Sequence, residues 1–204
     1  LGRSREASRQ QYHRNPAPLS IQGILMKPIR RIVTGHNAIG RSCIVEDEAI
    51  AQPYLSGGNP KHAFYELWET RGVPASNAEI VPTQRPFRLP PPTGGAIFRI
   101  VDLPPDRERD FGKLAEVFKS YGAEDALDQQ ARHGAFHKTQ TLDYAVVLAG
   151  EVWALMDEGE TRMEVGDVLI QRGTNHAWSN RSDDSCRLLF VLMDAPRQEV
   201  EQAK

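Results

Sequence analysis

The chain has 204 residues, with 25 Lys+Arg against 27 Asp+Glu and a net charge of −2. That length suits one domain carrying an arm, and the near balance of charge argues against a nucleic-acid or membrane-surface partner. The two cysteines, Cys43 and Cys186, are far apart in sequence, so both read as reduced packing residues of a cytoplasmic protein rather than a disulfide framework or metal pair.

Residues 1–25 hold Arg3, Arg5, Arg9 and Arg14 against a single acid, Glu6. They lack the continuous apolar stretch of a secretory signal; a basic, acid-poor transit peptide is the weaker reading. Met26 reads as a natural start, which makes 1–25 disordered or expression-derived sequence. No apolar run approaches the roughly 20 residues that a spanning helix requires.

From Lys27 the chain reads as short strands. Residues 29–33 are β-branched and end at the turn signal Gly35-His36-Asn37. Strands are expected again at 42–46 and 63–70, around a loop at 55–60. Residues 72–92 are rich in Pro, Asn and Thr and read as irregular chain that either covers the rest or merely connects. A strand at 96–103 closes at Pro104-Pro105. The period then changes: Phe111, Leu114, Ala115 and Phe118 share one helix face, with Asp110 to cap the start and Gly122 to end it. Residues 123–132 extend this by a helical turn or two.

After His133 the strands return at close spacing: 139–148, 152–156, 161–165, 168–171, 176–179 and 187–193. Turn residues separate them, among them Gly150, Gly159, Gly166-Asp167 and Gly173. Many short strands with regular turns predict a mainly β sandwich or small barrel. Along 137–149 side chains alternate, which puts His137, Thr139, Thr141, Asp143, Ala145 and Val147 on one face. The opposite face, with Leu142, Tyr144, Val146 and Leu148, is apolar and needs a second layer. Either the arm or a second copy of the chain could supply it, which is the basis for expecting a homodimer.

Residues 134–180 resemble the two motifs of the cupin superfamily. His137, Thr139, Asp143 and Gly150 fall at the first motif's positions, and Gly166, Gly173, His176 and Asn180 at those of the second, with Gln171 where Pro is usual. The whole chain from Met26 is similar to single-cupin proteins with a His-x-Thr-x-Thr-x-Asp-Tyr first motif. The resemblance implies a double-stranded β-helix, or jelly-roll barrel, with an N-terminal β extension and one or two short helices. The implied organisation is an arm over 26–93, the barrel over 94–195 and a tail over 196–204.

In metal-binding cupins two His and a Glu of the first motif join the His of the second around a divalent ion. Carried over, the ligands would be His137, Asp143 and His176, with Asp replacing Glu and Thr139 replacing a His. Two imidazoles and a carboxylate are a set that elsewhere holds iron(II), so Fe, Mn, Zn or Ni is one expectation. A Thr hydroxyl is a poor ligand and Asp is short of Glu by a methylene. A metal-free polar cluster is therefore the competing expectation, with Asp143 fixing Thr139, Thr141 or the His137 ring.

His137, Asp143 and His176 are thus the expected catalytic residues, and Thr139, Thr141, Gln171 and Trp178 are expected to line a substrate cavity. The expected function is action on a small organic molecule, as an oxygenase, isomerase or lyase, or else binding without turnover. His133, His36 and His62 are placed at the surface, Arg172 in a solvated turn, and Asn180 in a turn that it ties together.

Overall fold

The alternation along the first motif becomes strand β6 (Thr141–Ala149), whose odd-numbered residues Thr141 to Val147 are buried while Tyr144 and Leu148 face outward. The computed structural model describes residues 26–50, 52–78 and 86–196. The readings for residues 1–25 and for 197–204 of the tail fall outside them.

The other elements are β1 (Arg30–His36), β2 (Ser42–Ala49), β3 (Tyr54–Leu55), β4 (Ala63–Thr70), β5 (Ala96–Leu103), helix α1 (Leu114–Ser120), β7 (Glu151–Met156), β8 (Glu160–Glu164), β9 (Val168–Arg172), β10 (His176–Ser179) and β11 (Cys186–Asp194). All pairing is antiparallel. One sheet runs β3-β4-β5-β11-β6-β9, a second runs β10-β7-β8, and β1-β2 form a separate hairpin. Val101, Leu103, Ala145, Val147, Leu188 and Phe190 of the large sheet share one core with Val152, Leu155, Met163 and Ala177 of the small one. Two antiparallel sheets closing on one core are the jelly-roll arrangement expected from the sequence.

Two motif glycines are required by the turns. Gly150 has φ 73°, and a Cβ there would lie 2.8 Å from the Ser185 carbonyl oxygen. Gly173 has φ 61°, and its Cβ would meet the Thr139 carbonyl oxygen at 3.3 Å. Both conditions select glycine, at the start of β7 and before β10. Asn180 is fully buried: its amide donates to the Leu103 and Asp184 carbonyls, and its side-chain oxygen accepts from Ser182, so it ties the turn after β10 as expected.

The N-terminal strands do not form a single outer layer. β3 and β4 extend the large sheet, and only the β1-β2 hairpin lies apart from it. Ile29 packs with Leu67 and Ile100 to cover one part of the sheet's outer face. The Arg187 guanidinium holds both oxygens of Asp102 at 2.6 and 2.7 Å and donates to the Lys27 carbonyl, which pins the arm's start to β11. The rest of that face stays bare, with Tyr144, Leu148, Val168 and Ile170 all at least 40% exposed.

The helical face is built from Phe111, Leu114, Val117, Phe118 and Tyr121; Ala115, which the i, i+3, i+4 pattern also admits, points to solvent. A 3-10 turn over Phe111–Lys113 precedes α1, and Asp110 accepts from the Gly112 N–H to cap it. Gly122, at φ 65°, ends α1, and beyond it only a 3-10 turn forms, over Glu124–Ala126. Part of the Pro-rich segment does cover the core: Phe87 and Leu89 are buried, and the Leu89 N–H donates to the Tyr121 carbonyl.

Candidate functional site

His137 and His176 are drawn together by the backbone. The His137 N–H donates to the His176 carbonyl at 2.8 Å, and the His176 N–H returns to the His137 carbonyl at 3.0 Å. Directly paired residues of an antiparallel bridge project to the same side. Their rings accordingly stand 4.3 Å apart, centroid to centroid.

Each ring is fixed by its Nδ1. His137 Nδ1 lies 2.9 Å from the Ala135 carbonyl oxygen, and His176 Nδ1 lies 2.9 Å from that of Thr174. A carbonyl can only accept, so in both rings Nδ1 carries the proton and Nε2 keeps a lone pair. Burial pushes both pKa values down, that of His176 to about 3. The pair is neutral at neutral pH and offers two nitrogen acceptors.

Both rings line a cavity of about 110 Å³ between the two sheets, capped by α1. Most of the lining is apolar, including Phe64, Leu89, Leu114, Phe118, Leu188 and Phe190. Thr139, Asp143 and Trp178 also line it, as the alternation and the position of Trp178 suggested. Phe118 meets the His137 ring edge-on at 5.3 Å, and Trp178 meets the His176 ring at 6.0 Å.

Asp143 is buried at 4% exposure. Burial drives its pKa up to about 6, against the Thr141 hydroxyl and the Arg99 charge, which pull it down. Its Oδ1 has no hydrogen-bond partner among the described residues. Thr139 and Thr141 bond each other through their hydroxyls at 2.7 Å.

Two expected lining residues lie elsewhere. Thr141 and Gln171 are buried but are not among the cavity's lining side chains. Thr141 supports Thr139 and Asp143 from behind. The Gln171 amide donates to the Thr174 carbonyl and hydroxyl, so it braces the turn that aims His176. Two histidines expected at the surface are also inside. His62 is 9% exposed and lines the cavity. His133 is half-buried, 3.3 Å from Asp106 and edge-on to Phe111 at 4.9 Å.

Arg99, Arg109 and Tyr121 reach the cavity without having been singled out in the sequence. Arg99 had a legible signal, because it shares the inward face of β5 with Ile97 and Val101, where a charge is costly to bury. It pairs with Glu66 at 2.8 Å and packs its guanidinium 4.8 Å from the Phe87 ring. Tyr121 continues the helix face of Leu114 and Phe118 at i+7 and i+3, whereas Arg109 had no signal, because nothing local shows which loop residues turn inward.

The donor set falls short of a metal centre as placed. Among the described residues, no three His, Cys, Asp or Glu side chains converge closely enough to hold an ion. His137 and His176 present two suitable nitrogens, but Asp143 does not complete the set and Thr139 stands where a third imidazole would be required.

No family model matches the chain. It is 32% identical over 179 residues to the phomopsin biosynthesis cluster protein C' of Diaporthe leptostromiformis, covering 84% of this chain and 81% of that one. It is 25% identical over 171 residues to the cupin-domain-containing oxidoreductase virC of Hypocrea virens, covering 80% and 75%. The cupin domain of Schizosaccharomyces pombe Cnp3 superposes with a TM-score of 0.40 at 12% identity, over 81% of this chain and 87% of that one. The chain belongs to the cupin superfamily. Its relatives are cupin-domain oxidoreductases and biosynthesis-cluster proteins.

Proposed function

We propose that the chain is an enzyme of small-molecule biosynthesis that moves a proton on a largely apolar substrate held in the barrel cavity. The observation that carries this reading is the pair of Nε2 lone pairs, fixed by the Nδ1 bonds of His137 and His176 and opening on one cavity. Two acceptors so fixed call for a substrate hydroxyl or other proton donor between them. The names of the relatives support small-molecule chemistry as its setting.

The imidazoles orient the substrate, and Asp143 exchanges the proton. A base works best with a pKa close to the working pH. His176, at about 3, is too weak, whereas Asp143, at about 6, is close to it. Its partnerless Oδ1 is the atom that takes and returns the proton. This is isomerase- or lyase-type chemistry, and no step is routed through a metal, because the donors do not converge on one.

The test is hydrogen–deuterium exchange in D2O on a panel of hydroxylated carbonyl compounds, followed by proton NMR. Wild type exchanges a carbon-bound hydrogen, and Asp143→Asn loses at least about a hundredfold of that rate while still binding the compound. Exchange unaffected by the substitution refutes the role of Asp143. The weak basicity of His176 favours one second reading, binding without turnover. Compounds that bind without any exchange in wild type would support it.

A further inference from the structure

A second set of polar side chains lines the cavity, from the turn before β4 and the loop before α1, and the charge of one of them, Arg109, is felt at His137. The His62 ring is more than nine-tenths buried, lines the cavity and makes no hydrogen bond to any described residue. Its one ring neighbour among the described residues is Phe64, at 5.2 Å. Burial, and then the Arg109 charge, push it down to about 3, so it is a neutral imidazole with one N–H to give. Arg109 lines the same space. Its Nη1 donates to Asp106 and to the Trp178 carbonyl, both at 2.9 Å, and the guanidinium lies 4.8 Å from the Phe111 ring. Its Nε and Nη2 donate to no described residue. Tyr121, beside them, spends its hydroxyl proton on Ser56 at 2.6 Å.

This set therefore offers donors, and the His137–His176 pair offers acceptors. The charge of this set is already matched: Arg109 pairs with Asp106, and Arg99 with Glu66. A carboxylate buried here would lack a counter-charge, and burying an unmatched charge is unfavourable by several kcal/mol. A neutral oxygen acceptor meets the donors without that penalty.

We propose that His62 and Arg109 form a carbonyl-binding end of the cavity, so that the ligand is a neutral, mainly apolar molecule with a carbonyl oxygen there and a hydroxyl at the His137–His176 end. The hydroxyl half rests on the function proposed above; the carbonyl half stands on His62 and Arg109 alone.

Calorimetric titration of the full chain with matched probes separates the two. Acetophenone against ethylbenzene reads the carbonyl end, and 4-ethylphenol against ethylbenzene reads the hydroxyl end. A hydrogen bond to a charged donor predicts that acetophenone binds at least about tenfold tighter than ethylbenzene. His62→Phe, which keeps a ring of similar size, cuts that ratio several-fold, and Arg109→Met takes it close to one. His62→Phe carries the test if Arg109→Met does not fold. An acetophenone ratio near one in wild type, or unchanged in folded His62→Phe, overturns the carbonyl end. Tighter binding of 4-hydroxybenzoate than of 4-hydroxyacetophenone overturns its neutrality. A 4-ethylphenol preference that is absent, or indifferent to His176→Phe, overturns the hydroxyl end and the function built on it, while the acetophenone ratio still judges His62 and Arg109. Binding of none of the probes overturns both.

Discussion

His137 and His176 exchange two backbone hydrogen bonds, at 2.8 and 3.0 Å, and their rings stand 4.3 Å apart in one cavity. The same two residues pin their rings with Nδ1–H bonds to the carbonyls of Ala135 and Thr174. The backbone thus sets position, tautomer and direction at once, and no carboxylate is used to orient either ring.

Asp143 makes stability fall as pH rises. Its pKa is near 6 in the fold against 3.8 unfolded, so between these values the unfolded chain loses the proton first and gains on the fold. The effect is absent below pH 3.8 and complete above pH 6, at a shift of about 2 units, or about 3 kcal/mol at most. Asp143→Asn removes it. Urea unfolding should find the variant more stable than wild type at pH 7.5 and equal to it near pH 3.8. A variant less stable at pH 7.5 contradicts the burial of an unpaired carboxylate.

Three buried histidines act in the opposite sense. His62 and His176 are held at about 3, and His137 is also depressed, all from 6.5. Their stability is present above pH 6.5 and declines as pH falls, because only the unfolded chain takes up those protons. Two protons, at His62 and His176, against the one at Asp143 give a net loss on acidification between pH 6 and pH 4, and the depressed His137 adds to it in the same direction. His62→Phe should make that loss shallower by about 1.4 kcal/mol per pH unit in unfolding measured from pH 6 to pH 4.5. An unchanged slope would mean that His62 protonates freely in the fold.

Metal uptake should be weak and should not depend on the acid. Three imidazoles line the cavity, but among the described residues neither His62 nor Asp143 joins His137 and His176 in a set that could hold an ion. Titration with Zn(II) or Ni(II), followed by chelation and elemental analysis, should leave no retained ion, and Asp143→Asn should titrate like wild type. One equivalent retained by wild type and lost in Asp143→Asn would show that the carboxylate swings in as a ligand.

The bare part of the large sheet predicts a homodimer. Tyr144, Leu148, Val168 and Ile170 form an apolar strip beside the edge strand β9, and Ile170 is 51% exposed. A strip of this kind on a sheet edge is self-complementary about a twofold axis. Sedimentation should give a dimer for wild type and a monomer for Ile170→Lys, with the melting temperature of the isolated subunit little changed. A wild-type monomer at micromolar concentration would leave the strip without this role.

The sequence shows some of this and hides the rest for definite reasons. Period-two alternation is local, so the inward face of β6 and the place of Asp143 on it could be read directly. The glycines at 150 and 173 and the turn at Asn180 are equally local. Whether Thr141 and Gln171 reach a cavity depends on what surrounds them, and each instead bonds a close neighbour in the chain, Thr139 and Thr174. His62 looked like a loop residue, because the cavity that it lines with Arg109, Tyr121 and His137 is assembled from segments distant in the chain. The helix pattern admitted Ala115, since periodicity gives a face but not its width. The arm proved to be two things, a hairpin and two strands of the main sheet, because strand pairing is set by long-range contacts.

No helix among the described residues is long and apolar enough to cross a membrane.

The chemistry of the cavity turns on where two protons sit. Long-range proton–nitrogen NMR of the imidazoles reports this for His137 and His176 directly. Both rings should show the Nδ1–H form with bare Nε2 at pH 7 to 8, that of His176 should stay so down to pH 5, and the Nε2 signals should shift when a phenol is added. A ring in the Nε2–H form, or one that titrates near its ordinary value of 6.5, would contradict the acceptor pair.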